Sequence, residues 1–74
     1  MLDLHHYSIH DAWCVFNNYI DDAYYNGDKS VHVITGKGLI LLEFRIWMEL
    51  HPRISGGHLN ADSGSWIIRL KKLA

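Results

Sequence analysis

The rhythm of apolar and polar positions changes repeatedly along the chain, and each change marks the edge of an element. "LDL" at residues 2–4 alternates, with Leu2 and Leu4 on one face and Asp3 and His5 on the other, as in a short half-buried strand. From Ser8 the period lengthens: Ile9, Trp13, Phe16, Ile20 and Tyr24 recur at helical spacing. Ser8 suits an N-cap, with Asp11 three residues on as a capping-box variant, and "NG" at 26–27 stops the run. A helix is therefore predicted over about residues 9–26. "SVHVI" at 30–34 is short and β-branched, a second strand. A helix joining two strands is the grammar of a right-handed parallel βαβ unit.

A second helix is predicted from about Leu39 to Leu50, closed at His51 because the residue before Pro52 is pushed out of the α region. It carries two apolar stripes, Ile40, Phe44, Trp47 and Met48 on one side and Leu39, Leu42, Ile46 and Leu50 on the other. A surface helix of a two-layer domain needs only one. "RISGGHLN" and "SWIIRLKKL" read as two further strands joined by the loop Asn60 to Gly64. The order βαβαββ implies an α/β chain of the α+β two-layer kind, a four-stranded mixed sheet with both helices on one face. Its 74 residues make one domain, 1–74, near the size at which a single core barely offsets the entropy of folding.

The formal net charge of -1, with histidines neutral, argues against strong non-specific nucleic-acid binding, because phosphate neutralisation supplies most of that affinity. Local patches would have to do the work, and the 6 histidines add charge beside a phosphate or at mildly acid pH. Cys14 is the single cysteine, so no internal disulfide forms, and its helical setting reads as a small buried hydrophobe rather than a nucleophile. "MLDLHH" carries charge and histidine where a signal peptide needs an apolar run, and "GLILLEFRIWMEL" is interrupted by Glu43, Arg45 and Glu49. That run is too short to span a bilayer. A cytoplasmic protein with no membrane partner is the expectation.

Ligands of open α/β sheets collect where parallel strands end. His5 ends the first strand, and Thr35, Gly36, Lys37 and Gly38 end the second. An imidazole is thus expected beside a helix N-terminus. The glycines permit close backbone approach, and free N–H groups with Lys37 suit a phosphate. An imidazole there can exchange protons while the backbone and lysine stabilise growing charge. The plainer reading is a chain reversal, with His5 capping a strand end. The Walker pattern is missing, since no Ser or Thr follows Lys37. Alternation also gathers Asp3, His5, His32, Arg69 and Lys71 on the sheet face away from the helices, either a nucleic-acid surface or simply the solvated side. Zinc-type spacing is absent around His5 and His6, which are adjacent and therefore expected to point apart. Asp21 and Asp22 read as the solvated face of the first helix.

"LDLH" at the start, "VITGKG" about thirty residues later, then "W", "HPRI", a glycine-bearing loop and a final apolar strand resemble the small MutS-related (Smr) domain over nearly the whole chain. The family's signatures are an LDxH segment, here Leu2 to His5, and an [HT]GxG turn, here Thr35 to Gly38. The resemblance implies a fold like the C-terminal domain of translation initiation factor three. It also implies nucleic-acid binding with, in several members, nicking of DNA or cleavage of RNA. On the matching positions Asp3 and His5 become the catalytic candidates and Thr35, Gly36, Lys37 and Gly38 the phosphate contact; a divalent metal ion stays open as a cofactor. The chain departs from the pattern at His6, where members usually have Gly, and at Thr35, where His is commoner. "LILL" also follows the turn where another Gly and a basic residue are usual, which removes positive charge.

The leading expectation is a domain that binds DNA or RNA, with Asp3 and His5 as catalytic residues of an endonuclease and Thr35, Gly36, Lys37, Gly38, His32, Arg69 and Lys71 as nucleic-acid contacts. The alternative is a non-catalytic interaction or oligomerisation module, docking a second copy or a larger parent protein through Leu39, Leu42, Ile46 and Leu50. A third is a small-phospholigand binder that uses the TGKG turn alone.

Overall fold

Ser8 starts the first helix as its sequence demands. Its backbone is extended and its hydroxyl oxygen accepts from the Asp11 N–H at 3.2 Å, so α1 runs Ile9–Tyr25. The protein is seen here as a computed structural model describing residues 1–73. Around α1 lie β1 (Leu2–Asp3) and β2 (Ser30–Ile34), followed by α2 (Leu39–Leu50), β3 (Ile54–Leu59) and β4 (Ser65–Leu70). β1 and β2 pair in parallel, with Leu2 opposite Val33 and Asp3 opposite Ile34. β4 lies between β2 and β3, antiparallel to both, giving the sheet order β1-β2-β4-β3. The expected βαβαββ order and mixed four-stranded sheet are thus realised. Among the described residues no helix is long and apolar enough to cross a membrane.

The helices share one core against the sheet. Ala12, Phe16, Ile20 and Ala23 of α1 and Ile40, Phe44 and Trp47 of α2 are buried with Val31, Val33, Trp66 and Ile68. Phe44 is the hinge of this packing: it meets Phe16 edge-on at 4.9 Å between centroids and Trp66 at 5.3 Å. The second α2 stripe is left outside, Leu39, Leu42, Ile46 and Leu50 being 66%, 72%, 51% and 72% exposed. Cys14 departs from expectation. Its position faces away from the arc set by Ala12, Phe16 and Ile20, so it is exposed, with Sγ 4.0 Å from His10 Nε2.

Asp21 also departs from the solvated face assigned to it. It turns toward the junction of α2 and β3, where its Oδ1 lies 3.2 Å from Arg53 Nη1 and 3.7 Å from His51 Nε2. Arg53 in turn donates to the Tyr25 hydroxyl at 3.0 Å and covers the Tyr24 and Tyr25 rings. His51 is 7% exposed, accepts from the Arg53 N–H through Nδ1 and lies edge-on to Phe16. Burial pushes its imidazole below the usual histidine range, and Arg53 adds to the effect while Asp21 opposes it. As pH falls through about 6.5, the unfolded chain takes up this proton before the folded one does, so stability is lost. The urea midpoint is expected to fall between pH 7.5 and 5 in the parent and less steeply in His51→Asn, whose amide oxygen can still accept from Arg53. Parallel slopes in the two proteins would refute this account.

Candidate functional site

The parallel pairing of β1 and β2 brings two distant segments to one edge of the sheet. Leu4, wholly buried, donates its N–H to the Ile34 carbonyl at 2.7 Å, and the chain then turns as Tyr7 N–H donates to the Leu4 carbonyl at 3.1 Å. His5 and His6 occupy the two central positions of that turn. Asp3 folds back over it: one carboxylate oxygen accepts from the His5 N–H at 3.1 Å and also pairs with His5 Nδ1. These bonds hold the Asp3 carboxyl below the usual carboxylate range, the ring contact contributing most.

Directly beside His5 lies the TGKG turn. Gly36 adopts φ +72°, and a Cβ built there would stand 3.1 Å from His5 Cβ, so the two motifs touch. The N–H groups of Thr35 and Gly36 both donate to the Gly64 carbonyl, at 2.9 and 3.0 Å, and the buried Thr35 hydroxyl donates to the Gly36 carbonyl at 2.9 Å. Those two amides are therefore taken up in bracing the turn. What remains for an anion is the start of α2, whose N-cap is Gly38 and has no side-chain cap bond.

His5, Gly36 and Lys37 stand between two hollows. One, about 410 Å³, lies between the N-termini of the helices and is completed by Tyr7, Ser8 and Leu39. The other, about 400 Å³, opens on the bare face of the sheet over His32, Ile34, Asp62 and Ser65. Its floor is tightly bonded. Asp62 accepts from the N–H groups of Gly64 at 2.9 Å and Ser65 at 3.1 Å and from the Ser65 hydroxyl, which hold its carboxyl low. Asn60 Nδ2 donates to Ser65 Oγ at 3.0 Å and lies 3.4 Å from His32 Nε2.

Of the residues singled out in the sequence, Asp3, His5, His32 and the stretch Thr35 to Gly38 come together. Arg69 and Lys71 do not. Because β4 runs antiparallel to β2, Arg69 stands opposite Ser30 at the start of β2, with its guanidinium over Gly56. Lys71, whose N–H donates to the Arg53 carbonyl, lies beyond the end of β4 at the same far edge, near Lys29 and Lys72. The two cations are thus a strand's length from Lys37 rather than beside it. Alternation alone missed Asp62 and Tyr7, which lie in irregular segments. The expectation that His5 and His6 point apart is overturned: their rings lie 3.6 Å apart between centroids, because neighbours diverge on an extended strand but not at the centre of a turn.

A family model described as the Smr domain matches residues 2–71. Among solved structures, the chain is similar to the crystal structure of the Smr domain of Thermus thermophilus MutS2, with a TM-score of 0.87 at 16% identity, over 93% of this chain and 94% of that one. No curated protein sequence matches the chain.

Proposed function

The chain belongs to the Smr domain family, and from that premise we propose that it binds nucleic acid across the open sheet face and cuts a phosphodiester beside His5. One observation carries this reading: His5, its imidazole tied through Nδ1 to Asp3, packs its Cβ against Gly36 and lines one hollow with the uncapped start of α2. Asp3 orients the ring and fixes its tautomer, which leaves Nε2 to take the proton from the hydroxyl or water that attacks phosphorus. Lys37 and the first N–H groups of α2 stabilise the charge gathering on the non-bridging oxygens. Thr35 has both its donors engaged, so its part is to hold the turn through its bonds to Gly36 and Gly64. A divalent metal ion, if used, would add charge stabilisation at the same phosphate.

An extended strand leaving the cleavage point runs over His32 and reaches Arg69 and Lys71 at the far edge. Few phosphates are then neutralised, so affinity falls with salt along a shallow slope. Lys37→Ala is expected to leave the melting temperature nearly unchanged, since Lys37 is exposed, and to reduce that slope by about one phosphate contact. His5→Ala should bind nearly as well yet lower the nicking of supercoiled plasmid or the cleavage of structured RNA by about 10²–10⁴-fold, the usual worth of a general base. If both variants bind and cut like the parent, the reading fails. The exposed Leu39, Leu42, Ile46 and Leu50 face of α2 then makes docking to a second copy or a larger protein the better account.

A further inference from the structure

We propose that Asp3, His5 and His6 form a binding site for a divalent transition-metal ion of the zinc type. Each offers a donor atom, and these atoms lie within 4.8 Å of one another, the single cluster of this kind among the described residues. Backbone bonds assemble it. The Tyr7-to-Leu4 bond closes the turn that puts both imidazoles at its centre, and the Leu4-to-Ile34 bond fastens that turn to the sheet. Asp3 is drawn in by its bond from the His5 N–H. An ion therefore meets side chains that are already gathered, and less chain entropy is lost on binding than from an open segment.

Ligand chemistry selects the ion. Two imidazole nitrogens with one carboxylate oxygen suit zinc, cobalt, nickel or copper, whereas magnesium favours oxygen ligands and sheds its water reluctantly. Three protein ligands leave coordination positions open to solvent, and all three residues are accessible rather than buried in the core. His6, which plays no part in the proposed cleavage, becomes a ligand here. The site stands on its own geometry and would exist whether or not the domain cuts nucleic acid.

Isothermal titration of the folded chain with Zn²⁺, with a separate Mg²⁺ arm, tests this. One Zn²⁺ per chain at micromolar affinity is expected, with no saturation by Mg²⁺. His6→Ala should weaken Zn²⁺ binding by about tenfold or more, since loss of even an outer-shell partner costs that much. Cys14→Ser, which removes the thiol of the His10–Cys14 pair on α1, should leave it unchanged. Titrated Co²⁺ should broaden the ring signals of His5 and His6 ahead of those of His10, His32 and His58, a readout that needs no variant to fold. Zn²⁺ affinity insensitive to His6→Ala, loss of binding in Cys14→Ser, or equal broadening of all the histidines would overturn the assignment.

Discussion

Gly36→Ala is expected to cost both stability and nucleic-acid binding, while Gly38→Ala costs little of either. At φ +72° an L side chain pays about 1–2 kcal/mol for the left-handed conformation. The new Cβ also presses on His5 Cβ at 3.1 Å, so either the TGKG turn or the LDLH segment has to give. The Gly64 carbonyl, bonded to both Thr35 and Gly36, keeps the turn from yielding freely. For a domain of this size each kcal/mol lowers the melting temperature by about 4–8 °C. At temperatures where the variant remains folded, the shifted turn should weaken binding, and the displaced His5 should lower cleavage further than removal of the Lys37 ammonium does. A Cβ at Gly38 meets nothing within 4 Å, which makes Gly38→Ala the control. Thermal melts and binding isotherms that fail to separate the two glycine variants would show that the turn neither strains nor positions anything.

Phe44→Ala should leave the chain largely unfolded at room temperature. The ring is wholly buried and joins Phe16, Trp47 and Trp66, so its loss opens a cavity where both helices meet the sheet. Such truncations cost about 3–5 kcal/mol. A single core in so short a chain supplies about the same total. Ile46→Ala, on the exposed side of the same helix, should change stability by no more than about 0.5 kcal/mol. Urea denaturation followed by circular dichroism distinguishes them, with Phe44→Leu as a variant that keeps most of the volume. A cooperative transition in Phe44→Ala with a midpoint close to the parent's would mean that the core is not organised around this ring.

Most of the fold was legible because punctuation and period agree. Gly38 and Pro52 bracket α2, whose observed range Leu39–Leu50 matches the predicted one, and the two stripes separate into a buried and an exposed face. The meeting of His5 with the TGKG turn followed from parallel strands ending on one edge. Other features depend on information that periodicity does not carry. His5 and His6 converge because a backbone bond closes a turn over them, and Asp21 turns inward because Arg53 and His51 arrive from elsewhere in the chain. Cys14 was within reach of the helical wheel, which puts it opposite Phe16. The far placement of Arg69 and Lys71 was also within reach, since a strand antiparallel to β2 must carry its last residues away from the TGKG end.

β1 has two residues and pairs along one side only, with β2. Its hold on the domain reduces to the Leu2 and Leu4 side chains and a few backbone bonds, far less than secures the hairpin of β3 and β4. Asp3 sits within this strand and His5 just past it, so the element that carries the candidate catalytic groups is also the one expected to open most easily. Opening of that segment is expected to cost less than unfolding of the whole, with helices and hairpin kept in place. Guests that clasp Asp3 and His5 would act as a latch on that segment, and their apparent affinity would include the work of closing it.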